Sequence, residues 1–139
     1  MMRNPEQTIG NLIDKQSVSL VGSVAEDGFP NVKAMGTPRK REGIKYFWYS
    51  TNTSSMRVKQ FCENPKACIY FMEKRFFRGV QLIGTIEILE DIESKEMIWL
   101  DGDTRFYPKG ITDPDYCVLK FTVHKGRYWS GSGSEDFEV

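Results

Sequence analysis

Apolar residues recur at every second position in segment after segment of this chain, and that period commits most of it to strands. Within residues 17–24, Val18, Leu20 and Val24 point one way and the serines the other. Glu26-Asp27-Gly28 is a turn signal, and residues 31–35 resume the alternation, so the two segments form a hairpin. Further strands are predicted at residues 44–50, 67–72, 77–89 and 116–123, with Tyr128-Trp129 extending the sheet after a turn at Lys125-Gly126. In the longest of them Val80, Leu82, Ile86 and Ile88 share a face with Gly84, whose small size permits a bend or a close approach.

Helical signals are short. Residues 4–15 place Ile9, Leu12 and Ile13 on one face. A second helix sends Val58, Phe61 and Cys62 inward, leaves Arg57, Lys59 and Gln60 polar, and stops at Asn64-Pro65. Asp91 caps a third that runs to about Leu100 with Ile92 and Trp99 among its apolar members. Residues 38–43 read as a solvated basic loop, and residues 130–134, rich in Ser and Gly, as a flexible tail. The expectation is a mainly β chain: a six-stranded antiparallel barrel with helical inserts, one domain over residues 1–130, then a flexible tail over 131–139.

Bulk properties remove several classes of function. The 139 residues suffice for one domain, and 19 Lys plus Arg against 19 Asp plus Glu leave no field that draws nucleic acid or a membrane surface. No apolar run spans a bilayer and no leader pattern opens the chain, so a cytoplasmic protein is expected. Cys62, Cys68 and Cys117 are odd in number and lack paired metal-ligand spacing. His124 is the single histidine, which excludes a two-histidine metal site within one chain.

Thr51-Asn52-Thr53-Ser54-Ser55-Met56-Arg57 follows the aromatic strand segment Tyr46-Phe47-Trp48-Tyr49-Ser50 and opens the second helix. Hydroxyl and amide side chains, free N–H groups at a helix start and an arginine suit a phosphate group. The aromatic neighbours point to a flat, apolar body attached to it, such as a flavin nucleotide. The same residues also describe an ordinary capped helix.

Three pieces of the chain resemble the pyridoxamine 5′-phosphate oxidase-like family of flavin-binding split barrels, and within it the general stress protein branch. They are Asp27-Gly28-Phe29-Pro30 with Lys33 and Met35; Tyr49-Ser50-Thr51-Asn52 with Ser55-Met56-Arg57 and Asn64-Pro65; and Trp99 followed by residues 106–110 and 113–116. The resemblance implies a six-stranded split barrel that pairs as a homodimer and holds FMN, in preference to FAD or a deazaflavin, between subunits. It implies that Lys33 approaches the phosphate, that Ser50 and Thr51 lie along phosphate and ribityl chain, and that Ser55 and Arg57 complete the grip. Met35, Tyr49 and Met56 are further cofactor-site candidates, with Trp129, Trp99 and Tyr107 as weaker ones that close the site from the partner subunit.

Departures from the oxidase pattern narrow the expected function. Met56 stands where the oxidase has an arginine, Gly79 where it uses a glutamine on the flavin, and its C-terminal arginine-leucine-x-proline segment is absent. Gln81 stands two residues beyond Gly79. The resemblance therefore implies a flavoprotein that is not a true pyridoxamine phosphate oxidase. It is expected to be an FMN-dependent oxidoreductase acting on a small molecule in stress, with NAD(P)H as reductant. The alternatives are a flavin sensor or carrier without turnover, or a flavin-free dimeric barrel. No residue stands out as a catalytic acid or base.

Overall fold

The computed structural model describes residues 2–131 and 133–139; Met1 of the expected domain and Ser132 of the expected tail lie outside it. Helix α1 (Pro5–Asp14) starts where the Asn4 side chain accepts the Gln7 N–H, with proline in its first turn, and it buries Ile9, Leu12 and Ile13. Strands β1 (Val18–Val24) and β2 (Pro30–Gly36) form the expected hairpin, closed by Gly28 at φ 84°. Next come β3 (Lys40–Glu42), β4 (Tyr46–Asn52), α2 (Met56–Glu63), β5 (Lys66–Glu73) and β6 (Arg78–Leu89). α3 (Ile92–Ile98), β7 (Tyr116–Ser130) and β8 (Gly133–Glu138) complete the order.

Eight strands form one antiparallel sheet in the order β2-β1-β5-β6-β7-β4-β3, with β8 also on β7. The expectation of six strands is therefore corrected upward, and the outermost strands do not pair, so the sheet is not a closed barrel. The two additions come from segments whose polarity hides their pairing. Residues 40–42 are all charged, yet they pair with residues 46–48, and Arg39 just before them and Arg41 among them have partners. Arg39 grips Asp103 with two bonds of 2.9 and 3.0 Å, and Arg41 grips Asp14 at 2.8 and 2.7 Å. The expected tail is in fact a strand, since residues 133–138 extend the β7 ladder.

β7 runs unbroken through the expected turn at Lys125-Gly126. Gly84 opposes Val123 while Ile83 opposes Lys125, which leaves His124 as an extra residue on β7. Gly84 also answers to a close approach: a Cβ there would lie 1.9 Å from the Thr122 carbonyl oxygen.

One core lies inside the curled sheet, around Phe47, Ile69, Phe71, Leu82 and Phe121, with α1 packed against it. A second lies outside β4 and β7, where Ile98 of α3 and Tyr107 of the segment after it pack with Trp48, Tyr116 and Val118. The phase of β1 follows from its serines. Ser19 and Ser23 are buried because each has an interior partner: Ser19 donates to the Gly36 carbonyl and meets the Tyr49 hydroxyl, and Ser23 donates to the Gln60 side chain. Val18 and Leu20 consequently face outward, 54% and 39% exposed, beside Val32 and Met72 at 69% and 44%. In α2 the same pairing reverses two expectations, since Gln60 is buried and Cys62 exposed.

Candidate functional site

The start of α2 is built as its sequence suggests. Ser55 is the N-cap, in extended conformation, and its Oγ accepts the Val58 N–H at 3.4 Å. Asp115 holds the turn before it. The Asp115 carboxylate accepts from Asn52 Nδ2 and from the Ser54 N–H, both at 2.8 Å, and its backbone carbonyl accepts the Thr53 N–H at 2.8 Å. Those donors hold the Asp115 carboxyl below the ordinary carboxylate range, the Asn52 bond first. Asp115 thus takes one donor from each turn residue, its carboxylate those of Asn52 and Ser54, while the buried Thr53 Oγ1 has no hydrogen-bond partner.

At the start of α2, β2 and α2 enclose a cleft of about 180 Å³ lined by Lys33, Arg57, Met56, Asn31, Ser23 and Gln60, with Val32 at its edge. No carboxylate lines it. Arg57 lines it, and its Nε is buried without a hydrogen-bond partner, which is uncommon for a guanidinium in a folded protein. Period-two alternation puts Lys33 and Asn31 on the same face, and the register sets Asn31 opposite Ser23. A larger neighbouring cleft of about 470 Å³ shares Met56 and Gln60 but carries Glu26, Asp27 and Glu63.

The other expected site residues lie apart from this cleft. Tyr49 is 2% exposed, and burial pushes its phenol above the ordinary tyrosine range. Thr51 is buried and follows Tyr49 on the inner face of β4, whereas Ser50 is on the opposite face. Ser50 there hydrogen-bonds Tyr107, whose phenol burial holds up despite that bond. Met35 packs against the inner core from β2. Trp129 is half-buried on the outer face, its ring 5.9 Å from that of Tyr70. Trp99 and Tyr107 pack as tilted rings against Tyr116 in the outer core, at 5.2 and 4.7 Å.

Asn31, Ser23 and Gln60 were not among the residues expected at the site. Asn31 was within reach of the sequence through its alternation with Lys33. Ser23 and Gln60 were not, because their burial depends on each other across β1 and α2. Among the described residues no group of His, Cys, Asp and Glu is arranged to hold a metal ion, and no helix is long and apolar enough to cross a membrane.

The family model described as pyridoxamine 5′-phosphate oxidase matches residues 6–130, and the chain belongs to that family. The crystal structure of a Clostridium acetobutylicum protein related to general stress protein 26 of B. subtilis superposes with a TM-score of 0.89 at 41% identity, over 100% of this chain and 97% of that one. General stress protein 26 from Bacillus anthracis has a TM-score of 0.78 at 19% identity, over 96% and 98%. A heme binding protein from Mycobacterium smegmatis shares the fold with a TM-score of 0.79 at 17% identity, over 99% of this chain and 59% of that one. No curated protein matches the chain by sequence.

Proposed function

We propose that this protein is a homodimeric FMN-binding flavoprotein, with Lys33 and Arg57 as the phosphate-binding pair. The observation that carries the reading is that Arg57, its Nε buried and without a partner, lines a cleft that contains a lysine and no carboxylate. Such a cleft suits a dianion, because arginine and lysine supply charge-assisted donors and nothing nearby repels it. Ser55 and the first turn of α2 add the positive end of a helix dipole. Met56, 70% exposed, lines the same cleft. The pairing of subunits is supported by the uncovered apolar face of β1, β2 and β5, where Val18, Leu20, Val32 and Met72 lie. Trp129 lies on the outer face next to Tyr70 and is the aromatic we assign to closing a site between subunits.

FMN, when bound, supplies a two-electron redox centre, and the protein contributes its position and electrostatics. The activity we assign is reduction of a small molecule, with NAD(P)H as electron source. A second reading, a flavin carrier or sensor without turnover, is favoured by the internal claim of Asp115 on the turn donors and by Met56 in place of a second cation. An absorbance scan from 300 to 550 nm after FMN addition and desalting tests the flavin site; a protein that comes through colourless removes it. NAD(P)H-driven dye reduction by the loaded protein then separates the readings: activity supports the oxidoreductase, and bound flavin without activity supports the carrier.

A further inference from the structure

Gln60 lines the Lys33–Arg57 cleft and is only 8% exposed, deep burial for an amide on a short helix. It follows Arg57 on α2 at i, i+3, a spacing that sets the two side chains on one helix face. Ser23, 4% exposed on β1, donates its hydroxyl to Gln60 Oε1. That bond takes up the acceptor end of the amide. The other end carries two donors, and Gln60 Nε2 makes no hydrogen bond among the described residues.

Gln60 stands between two clefts, and their linings differ in what they offer it. In the larger one Glu26, Asp27 and Glu63 are acceptors, yet none of them bonds to the amide. Ser23, which orients the amide, lines the cationic cleft and not the acidic one. In the cationic cleft no carboxylate of the chain is present to meet the Nε2 donors. An acceptor for them has to come from a ligand or from water.

We propose that Gln60, oriented by Ser23, is a third ligand of the FMN phosphate beside Lys33 and Arg57, a role that rests on the flavin reading above. A phosphate monoester near neutral pH carries close to two negative charges and three acceptor oxygens. Lys33 and Arg57 match that charge, and a neutral amide adds a donor without a third cation. The Ser23 bond holds the amide before the ligand arrives, so less rotamer freedom is lost on binding. Ser23 is thus a positioning residue and Gln60 a binding one.

The test is fluorescence titration of the full chain with FMN and with riboflavin, which lacks the phosphate, beside a thermal unfolding scan. Gln60→Met, similar in size and without donors, is expected to lose roughly tenfold in FMN affinity and to keep its riboflavin affinity. Gln60→Glu still accepts from Ser23 but sets a charge against the phosphate, and a larger loss for FMN is expected. Ser23→Ala frees the amide without removing it, and a smaller loss confined to FMN is expected. Undiminished FMN affinity in folded Gln60→Met overturns the proposal, and so does an equal loss for riboflavin. Where Gln60→Met fails to fold, Gln60→Glu decides, and undiminished FMN affinity there overturns the proposal. A natural chain that takes up no FMN removes the flavin reading and this role together, whereas FMN held equally by the natural chain and Gln60→Met removes this role alone.

Discussion

The hydroxyls of Tyr49 and Ser19 stand 2.9 Å apart in the interior and join β4 to β1, strands from opposite ends of the sheet path. No backbone ladder spans that gap, so a side-chain bond does part of the work that pairing does in a closed barrel. Ser19 Oγ also donates to the Gly36 carbonyl at 2.9 Å, leaving the Tyr49 O–H as donor across the gap. Tyr49→Phe is expected to cost about 0.5–1.5 kcal/mol, because Ser19 keeps one partner and no cavity forms. The urea midpoint at neutral pH measures it; an unchanged midpoint would show that the gap closes by packing alone.

Alkaline pH probes buried phenols. Burial raises Tyr49 above the ordinary value of 10.0 and pushes Tyr116 up to about 12. A group whose folded value is raised stabilises fully below its unfolded value and loses that contribution as pH rises toward the folded one. Stability is therefore expected to hold up to about pH 10 and then to fall between 10 and 12. Urea midpoints across that window check it, and Tyr49→Phe should flatten part of the slope.

Arg39 and Asp103 form the bridge that ties β3 to the segment after α3. Asp103 is 4% exposed and also accepts the Leu100 N–H at 2.9 Å. Arg39→Ala leaves that carboxylate buried without its cation, a loss of about 3 kcal/mol. The Arg39 bonds hold the Asp103 carboxyl below the usual range, aided by the Leu100 N–H and opposed by burial. Its contribution is thus present above the unfolded value near 3.8 and is lost as pH falls through the lowered folded value. The gap in urea midpoint between the natural chain and Asp103→Asn should be wide at pH 7 and narrow toward pH 3.

What could be read from the sequence divides by the range of the interaction. α1, the β1–β2 hairpin and the long strand around Gly84 all follow from patterns a few residues wide, and each lies within two residues of its expected place. β3 and β8 were hidden because their pairing goes with arginine contacts and a neighbouring strand rather than with apolar alternation. The inward turn of Ser19 and Ser23 was hidden for the same reason, since it depends on Gly36, Tyr49 and Gln60 far along the chain. At the site, Arg57 was legible as a cation at a helix start, and Lys33 only through the family resemblance. That Asp115 would take the turn donors was not, because it reaches them across 61 residues.

Asp115 sets the turn from which α2 departs, and so the approach of Arg57. Asp115→Ala should lower the thermal midpoint and weaken FMN binding together. Asp115→Asn can still accept the Ser54 N–H and should recover most of both. Flavin titration beside thermal unfolding measures the pair; FMN affinity untouched in Asp115→Ala would uncouple the turn from the phosphate cleft.

Arg57 separates binding from folding. Its Nε makes no hydrogen bond in the fold, and the guanidinium forms no ion pair among the described residues. Its removal therefore relieves a buried, unsatisfied donor rather than breaking an interaction. Arg57→Ala is expected to leave the urea midpoint unchanged or slightly raised while weakening FMN binding by about 1.5–3 kcal/mol, the worth of a charge-assisted hydrogen bond. Lys33→Ala should act in the same direction but less strongly, because lysine offers a point charge without arginine's two-pronged geometry. Added salt should narrow the Lys33 effect more than that of the partly buried Arg57. Fluorescence titration of FMN at two ionic strengths measures both, and an Arg57→Ala protein that retains flavin at natural affinity would place the phosphate elsewhere.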